Sequence, residues 1–223
     1  MKAVFLLCLL GLFSLQLIPA QIPESFGYIT KEIPEIHLDI RYATKNNFMG
    51  RVVKGYASPK VVLTKKALIA LKSAEADFKH IGLGIKVFDA YRPQRAVDDF
   101  MVWIKVENDT LMKKRYYPDL DKKDLVPQGY IAEKSGHSRG STIDLSLIYL
   151  KGNKAGKELD MGGRWDFFGK QSNYDFPEIN QKQKENRALL QKIMSEHGFI
   201  PYAQEWWHFS LAEEPFPTTY FDF

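Results

Sequence analysis

Thiols are almost absent from this chain of 223 residues, which contains a single cysteine, Cys8. Cys8 lies within an apolar N-terminal run, so the sequence after residue 20 offers neither a free thiol nor a disulfide. An extracytoplasmic protein without disulfides depends for its stability on its hydrophobic core or on a bound metal ion. A closed structural zinc site, which commonly uses cysteine ligands, is therefore not expected.

Long apolar runs are also scarce. The exception is MKAVFLLCLLGLFSLQLIPA, which has one lysine followed by an apolar stretch to Ile18. That stretch is too short for a comfortable membrane span and ends in the small residue Ala20, as secretory signal peptides do. We expect residues 1–20 to be a signal peptide cleaved near Ala20–Gln21, which leaves no transmembrane span; an uncleaved anchor is the alternative.

Neither sign of charge is in large excess, because 31 Lys and Arg face 27 Asp and Glu, for a formal net charge of +4. An excess this small does not predict binding to nucleic acid. No proline-rich or glycine-rich linker divides residues 21–223, and a chain of that length can bury one full core. We therefore expect one domain over residues 21–223.

The periodicity of apolar residues predicts helices interspersed with strands. Helices are predicted at TKKALIALKSAEADFKHIG (64–82), PQRAVDDFMVWIKVEN (93–108) and NQKQKENRALLQKIMSEHG (180–198), and strands at IKVFDAY (85–91), IDLSLIYL (143–150) and FIPYAQEWWHFSL (199–211). Residues 109–134 show no clear period and are predicted to form loops. The pattern indicates an α+β fold, in which helices pack on a mainly antiparallel central sheet.

Histidine is sparse, with five residues in the chain. His80 and His197 lie in the last turn of predicted helices, where a cation interacts favourably with the helix dipole. His37 lies in the alternating stretch EIHLDIRYA and is interpreted as a strand surface residue. His137 and His208 remain as candidates for chemistry.

The segment HSRGSTID places His137 seven residues before Asp144, a pair that would also suit a loop histidine beside a turn-capping aspartate. The segment EWWH adds Glu205 and His208. Two imidazoles and one carboxylate supply three ligands and leave a fourth position open, which is typical of catalytic zinc sites. We therefore expect one Zn²⁺ per chain, at the sheet, with Glu205 beside the metal as a proton acceptor.

The spacing of Glu205 and His208 has a structural consequence. Side chains three residues apart lie on one side of a helix but on opposite faces of a regular strand. Because the neighbouring residues favour a strand, we predict a bulge or sharp twist that directs both side chains to one site. Trp206 and Trp207 are interpreted as core residues, one of which walls the metal site.

The same segments carry a family resemblance. SGHSRGSTIDLSL fits Ser-x-His-x-x-Gly-x-x-x-Asp and EWWH fits Glu-x-Trp-His, two patterns of the zinc D,D-peptidases. Further collinear motifs extend the match over nearly all of residues 21–223: RYATKNNFMG, DAYRPQRAV, YYPDL, MGGRWDFF and the terminal YFDF. The chain resembles the VanX-type D-alanyl-D-alanine dipeptidases. Thr142 stands where that family usually has alanine, and at this small non-ligand position we expect no loss of activity.

The resemblance implies roles for individual residues. His137, Asp144 and His208 resemble the zinc ligands, and Glu205 resembles the general base and acid.

Four further residues match positions around the substrate. Arg92 resembles the residue that stabilises the charged tetrahedral intermediate, and Asp166 the carboxylate that receives the substrate's ammonium group. Tyr56 and Ser135 match pocket-lining positions.

Without the family, two of these roles stay open. Arg92 could equally form a structural salt bridge with Asp89 or Asp98, and Asp166 could cap a turn.

The expected function is zinc-dependent hydrolysis of the small D,D-dipeptide D-alanyl-D-alanine to two D-alanines, in the periplasm, during cell-wall peptide turnover or salvage. Two alternatives remain: a D,D-carboxypeptidase acting on longer wall peptides, and a catalytically silent, zinc-stabilised module that binds wall peptides. Glu205 argues against the silent module, which has no need of a base beside its metal. The oligomeric state is not indicated by the sequence.

Overall fold

A five-stranded sheet lies at the centre of the computed structural model, which describes residues 21–223; the predicted signal peptide and Cys8 lie outside the described residues. The elements follow in the order β1 (Phe26–Tyr28), α1 (Ile29–Glu32), β2 (His37–Leu38), β3 (Val62–Thr64), α2 (Lys65–His80), β4 (Leu83–Asp89), α3 (Gln94–Ile104), α4 (Lys113–Tyr116), α5 (Lys122–Leu125), β5 (Thr142–Tyr149), α6 (Gln181–Glu196), β6 (Phe199–Tyr202) and β7 (Glu205–Leu211).

The central sheet is mixed, with the strand order β2-β4-β5-β7-β6. Strands β4, β5, β7 and β6 pair antiparallel, but the edge strand β2 runs parallel to β4. The prediction of a mainly antiparallel sheet is therefore met only in part. The parallel pair arises because β3 and α2 connect β2 to β4, and a connection of that length lets the chain re-enter the sheet in the same direction. A separate two-stranded sheet pairs β1 with β3.

Helices α2, α3 and α6 form where the apolar periodicity of the sequence predicted them. The Thr64 side chain caps α2 by accepting from the Ala67 N–H, and Asn180 caps α6 in a reciprocal pair with Gln183. Helix α3 begins directly after Pro93, which occupies its N-cap.

Two predicted segments differ from the observed elements. The single strand expected over residues 199–211 is a hairpin, since a turn at Ala203 and Gln204 separates β6 from β7. The loop expected over residues 109–134 contains α4 and α5, each of four residues. One helical turn is too short to produce a recognisable apolar period.

The core lies on both faces of the sheet, which explains why β4 and β5 read as nearly continuous apolar runs. Helix α2 packs on β4, and α6 packs on β6 and on α2. Helix α2 buries Leu71, Ala74 and Phe78 completely. Over residues 21–223, no helix has both the length and the apolar character needed to cross a membrane.

Candidate active site

A row of polar side chains crosses three neighbouring strands. Asp89 on β4 is aligned with Asp144 on β5, and Asp144 is aligned with His208 on β7. The register of β4 shifts just before Asp89, which leaves Phe88 as an extra residue in that strand. Such a bulge re-aims the side chain that follows it. The sheet itself therefore places three of the site's polar residues side by side.

His137 reaches this row from the short 3₁₀ turn Gly136–Arg139, which precedes β5. The Ser135 hydroxyl caps the turn by accepting from the His137 N–H. Gly140 ends it with φ = 83°, and a side chain there would overlap the ring of Phe26. Glycine is therefore required at the point where the chain turns from the His137 loop into β5.

Glu205 and His208 reach the same site because β7 is irregular. Pro201 of β6 is aligned with Phe209, yet the next residue, Tyr202, is aligned with Glu205. The displaced register carries Glu205 and His208 to one side, where the Glu205 Oε2 lies 3.4 Å from the His208 Nδ1. The predicted bulge is confirmed.

His137, Asp144 and His208 offer ligand atoms that all lie within 4.8 Å of one another. The His137 Nδ1 lies 2.8 Å from the Ala90 carbonyl oxygen, which can only accept, so in the neutral imidazole Nδ1 carries the proton and Nε2 is free to bind a metal. That Nε2 faces the Asp144 Oδ1 at 3.2 Å, and in the described part of the chain neither atom has a hydrogen-bond partner. Two buried acceptors in contact need a cation between them, so these residues fit a metal ion.

Asp144 is held as an anion. Its burial favours the neutral acid, but the two imidazoles of His137 and His208 outweigh burial and lower the pKa of Asp144 below its usual range. The Trp165 indole N–H donates to its second oxygen, Oδ2, at 3.2 Å. One oxygen therefore faces the imidazoles while a buried indole fixes the other, which is the kind of support that orients metal ligands.

The Glu205 carboxyl lies beside the three ligands, and its pKa shifts in the direction opposite to that of Asp144. Burial, together with the charge of Asp144, raises its pKa to about 7, although His208 and Arg92 act in the opposite direction. A carboxyl with a pKa near neutrality can both accept and return a proton at physiological pH.

Arg92 combines the two roles that the sequence left open. Its Nε donates to the Asp89 Oδ2 at 2.9 Å, while a terminal nitrogen lies 3.8 Å from the Asp144 Oδ2. Its guanidinium also lies over the rings of Tyr42 and Phe100, with 5.0 and 5.4 Å to the ring centroids. Asp89, and not Asp98, is the salt-bridge partner, and it anchors one edge of the guanidinium while the other edge faces the cavity.

Asp166 adopts a left-handed backbone conformation with φ = 66°, alone among the non-glycine residues of 21–223. It does not act as a turn cap: its two oxygens accept hydrogen bonds of 3.1 and 2.9 Å from the Tyr42 hydroxyl. Burial raises the pKa of Asp166 well above its usual range, against the opposing charge of Arg92. A cation brought beside Asp166 would stabilise its ionised form.

The two expected pocket-lining residues occupy different places. Ser135 lines the cavity. Tyr56 lies one layer behind the cavity wall, buried, where its hydroxyl donates to the Asp89 Oδ1 at 2.6 Å.

Sequence reasoning missed Tyr42 and Asp89 as site residues. Both lie in motifs that carried the resemblance, RYATKNNFMG and DAYRPQRAV. Neither has a spacing that separates it from an ordinary core tyrosine or an ordinary salt-bridge partner. Only the fold shows that Tyr42 contacts Asp166 and that Asp89 holds Arg92.

The proposed metal ligands, Glu205, Arg92 and Asp166 line one cavity of about 200 Å³. That volume is below the roughly 300–1,000 Å³ of pockets that take drug-sized ligands, so it suits a small substrate. The lining includes the ligand residues His137, Asp144 and His208, the charged residues Arg92, Asp166, Glu205 and Lys134, and Tyr42, Phe48, Phe100, Tyr130, Ser135, Phe168 and Tyr202.

Two imidazoles and a carboxylate around one point, with a separate carboxyl of near-neutral pKa beside them, define the class of metal-dependent hydrolases. Comparison with known proteins narrows this class. Residues 26–223 match the model of the peptidase M15 family described as D-Ala-D-Ala dipeptidase. The chain belongs to this family, which makes it a metallopeptidase and confirms the resemblance seen in the sequence.

Curated relatives match the sequence of this chain over most of their own length. The chain is 39% identical over 200 residues to a D-alanyl-D-alanine dipeptidase of Enterococcus faecalis, covering 90% of this chain and 98% of that protein. It is 40% identical over 198 residues to a D-alanyl-D-alanine dipeptidase of Streptomyces coelicolor, covering 89% of this chain and 96% of that protein. A relative of the same name from Escherichia coli is 32% identical over 183 residues, which is 81% of each chain.

Proposed function

We propose that this protein is a zinc-dependent dipeptidase that hydrolyses D-alanyl-D-alanine to two D-alanines. The observation that carries the proposal is that one small cavity contains two functional groups. One is the ligand set of two imidazoles and one carboxylate, with Glu205 beside it. The other is the buried carboxylate of Asp166. The first group suits hydrolysis, and the second suits a free ammonium group. The names of the relatives supply the D,D-dipeptide as the substrate class.

His137, Asp144 and His208 would hold one zinc ion per chain. Mixed imidazole and carboxylate ligands favour zinc over calcium or magnesium, which prefer all-oxygen shells. Zinc bound there would supply a Lewis acid that polarises the scissile carbonyl and lowers the pKa of the attacking water.

Glu205 moves the proton. Its carboxylate accepts a proton from the attacking water and later delivers it to the nitrogen of the leaving D-alanine. A pKa near 7 matches both transfers, since the group must be basic in the first step and acidic in the second.

Arg92 faces the negative charge that develops on the carbonyl oxygen during attack. The salt bridge to Asp89 holds its guanidinium before substrate arrives, so little reorganisation is needed in the transition state. Tyr56, which donates to the other oxygen of Asp89, supports this arrangement from behind the wall.

Asp166 and Tyr42 would bind the amino end of the substrate. The ammonium of a dipeptide supplies the cation that the buried Asp166 lacks, and the Tyr42 hydroxyl stabilises the ionised carboxylate. Ser135 lines the same cavity, where its hydroxyl can contact the substrate.

N-acetylation of the substrate tests the proposal. N-acetyl-D-Ala-D-Ala carries no ammonium and adds bulk, and leaving Asp166 buried and unpaired has a cost of about 1–3 kcal/mol. We expect kcat/KM for the acetylated dipeptide to fall roughly 5- to 150-fold relative to the free dipeptide. Equal turnover of both, or preferred turnover of a wall pentapeptide, would support the D,D-carboxypeptidase alternative.

We also propose that the enzyme acts in the periplasm. The support is the sequence of residues 1–20, which has the pattern of a cleavable signal peptide. A periplasmic enzyme does not meet dipeptide in the cytoplasm before its incorporation into wall precursors, so its role would be turnover or salvage. Cell fractionation that finds the active enzyme in the cytoplasm would contradict this assignment.

A further inference from the structure

One buried cation has no part in the mechanism above. Arg187 of α6 is 1% exposed, yet its hydrogen-bond partners are backbone carbonyls and not a carboxylate, and its guanidinium also lies 5.8 Å from the centroid of the Trp206 ring. Its Nε donates to the Met161 oxygen at 2.6 Å, and its two terminal nitrogens donate to the Asn173 and Gln171 oxygens at 2.6 and 3.0 Å. Burial lowers the pKa of Arg187 to about 10, which leaves it charged at neutral pH.

These carbonyls belong to the two ends of one segment, residues 160–173, which we call the Asp166 loop. Asp166 lies five residues from Met161 and five from Gln171, at the centre of the segment. The Gln171 side chain also donates to the Gly162 oxygen at 2.8 Å across the neck of the loop. The planar guanidinium thus ties the start of the loop to its end with three donors at fixed angles, which a lysine cannot reproduce.

The neighbouring residue on α6 strengthens the same neck. The Asn186 amide, also buried, donates to the Asp160 oxygen at 2.8 Å. Consecutive residues of one rigid helix therefore hold both ends of the loop.

The loop contains groups whose positions matter for the site. Trp165 donates to Asp144, a proposed metal ligand, and Asp166 faces the cavity in a left-handed conformation. A non-glycine residue in that region carries a conformational cost and persists only when the surrounding structure enforces it. The clamp at the neck, together with the Tyr42 bond, supplies that enforcement.

We propose that Arg187 is a positioning residue that sets the selectivity for a free amino terminus by closing the neck of the Asp166 loop. The proposal rests on the proposed function, because it assumes that Asp166 binds the substrate's ammonium group. Arg187 does not touch the substrate. It acts through the loop, by holding Asp166 where the ammonium must lie.

Kinetics of Arg187→Lys test the effect on selectivity. Lysine keeps the positive charge but lacks the planar set of N–H donors that binds the three carbonyls. The neck of the loop should therefore loosen, which leaves Asp166 less well placed. We expect the ratio of kcat/KM for D-Ala-D-Ala to that for N-acetyl-D-Ala-D-Ala to fall toward 1, with loss of part or all of the roughly 5- to 150-fold preference expected of the wild-type protein. Most of the loss should appear in KM for the free dipeptide, since the ammonium contact is made in both ground state and transition state. Metal content should stay at the wild-type level.

Lys122→Met is the matched control. Lys122 is likewise a buried cation that donates to two backbone carbonyls, those of Trp103 and Val106, at 2.9 and 2.8 Å. It does not line the cavity. Its loss should lower thermal stability while the selectivity ratio stays at the wild-type value, which separates positioning from general destabilisation.

Hydrogen exchange provides a readout that does not depend on activity. Amides of residues 160–173 should exchange faster in Arg187→Lys than in wild type, with those of β4 and β5 unchanged; in Lys122→Met the loop should keep its protection. If Arg187→Lys does not fold, Asn186→Ala loosens the same neck and should shift the exchange and the selectivity in the same direction, by less.

Each result has a clear meaning. Wild-type protection of the loop in Arg187→Lys and Asn186→Ala would overturn the clamp whether or not the protein hydrolyses D-Ala-D-Ala. Faster exchange with an unchanged selectivity ratio would overturn the link to substrate recognition. Wild-type enzyme that turns over free and acetylated dipeptides equally would refute the role of Asp166, and with it the selectivity assigned to Arg187.

Discussion

Replacing Tyr42 by phenylalanine removes one hydroxyl from a buried ring and tests how the site recognises its substrate. That hydroxyl donates to both oxygens of Asp166, at 2.9 and 3.1 Å, and the pKa of Asp166 is already raised by burial. Without Tyr42 the ionised carboxylate is less stable, so a substrate ammonium gains less from pairing with it. The ring itself, which packs on Phe48 and Trp165, is retained.

The size of the effect follows from the type of bond. A hydrogen bond to a charged group contributes about 1.5–3 kcal/mol. At about 1.4 kcal/mol for each factor of ten, Tyr42→Phe should weaken substrate binding roughly 10- to 150-fold. The loss should appear in KM, with a much smaller change in kcat, because the Tyr42 hydroxyl pairs with Asp166 and takes no part in the proton transfers assigned to Glu205.

Steady-state kinetics with D-Ala-D-Ala measure this effect directly, and Tyr117→Phe provides a control of the same chemistry. Tyr117 is also fully buried, but its hydroxyl has no partner in the described part of the chain. Its removal should leave KM unchanged and should not lower stability. An unchanged KM in Tyr42→Phe, or an equal loss in both variants, would refute the role given to the Tyr42–Asp166 pair.

Three further changes test other parts of the site. Glu205→Gln should retain the metal and the fold while turnover falls by about two to four orders of magnitude, as measured by D-alanine release and metal analysis; near-normal turnover would mean that another residue is the base. His208→Ala should lower metal content and also the midpoint of thermal unfolding, since a bound metal stabilises the folded state; full metal content would remove His208 from the ligand set. Gly140→Ala should destabilise the protein by more than about 1 kcal/mol in denaturant unfolding, because φ is 83° and the new methyl group meets Phe26; wild-type stability would show that the turn tolerates a side chain.

The sequence predicted those parts of the site that come from local patterns. His137, Asp144, Glu205 and His208 stand in two short segments, and the fold brings their side chains together as expected. The irregular strand at Glu205 was predictable because its spacing to His208 suits a helix while its neighbours suit a strand.

Other parts depend on contacts between distant segments. Tyr42 meets Asp166 across 124 residues, and Arg187 meets Met161 from another element, so neither role has a local signature. The parallel edge strand β2 consists of two residues, too few for a period to be recognised. The hairpin turn at Ala203 and Gln204 contains none of the glycine or proline residues that usually mark a turn.

Metal-dependent release of D-alanine tests whether this protein is a zinc-dependent D,D-dipeptidase. The purified protein is stripped with a chelator, titrated with zinc, and assayed on D-Ala-D-Ala and on L-Ala-L-Ala. We expect no activity without metal, full activity near one zinc per chain, and turnover of the D,D-dipeptide in strong preference to the L,L-dipeptide. Undiminished hydrolysis by the stripped protein, or equal hydrolysis of both dipeptides, would contradict it.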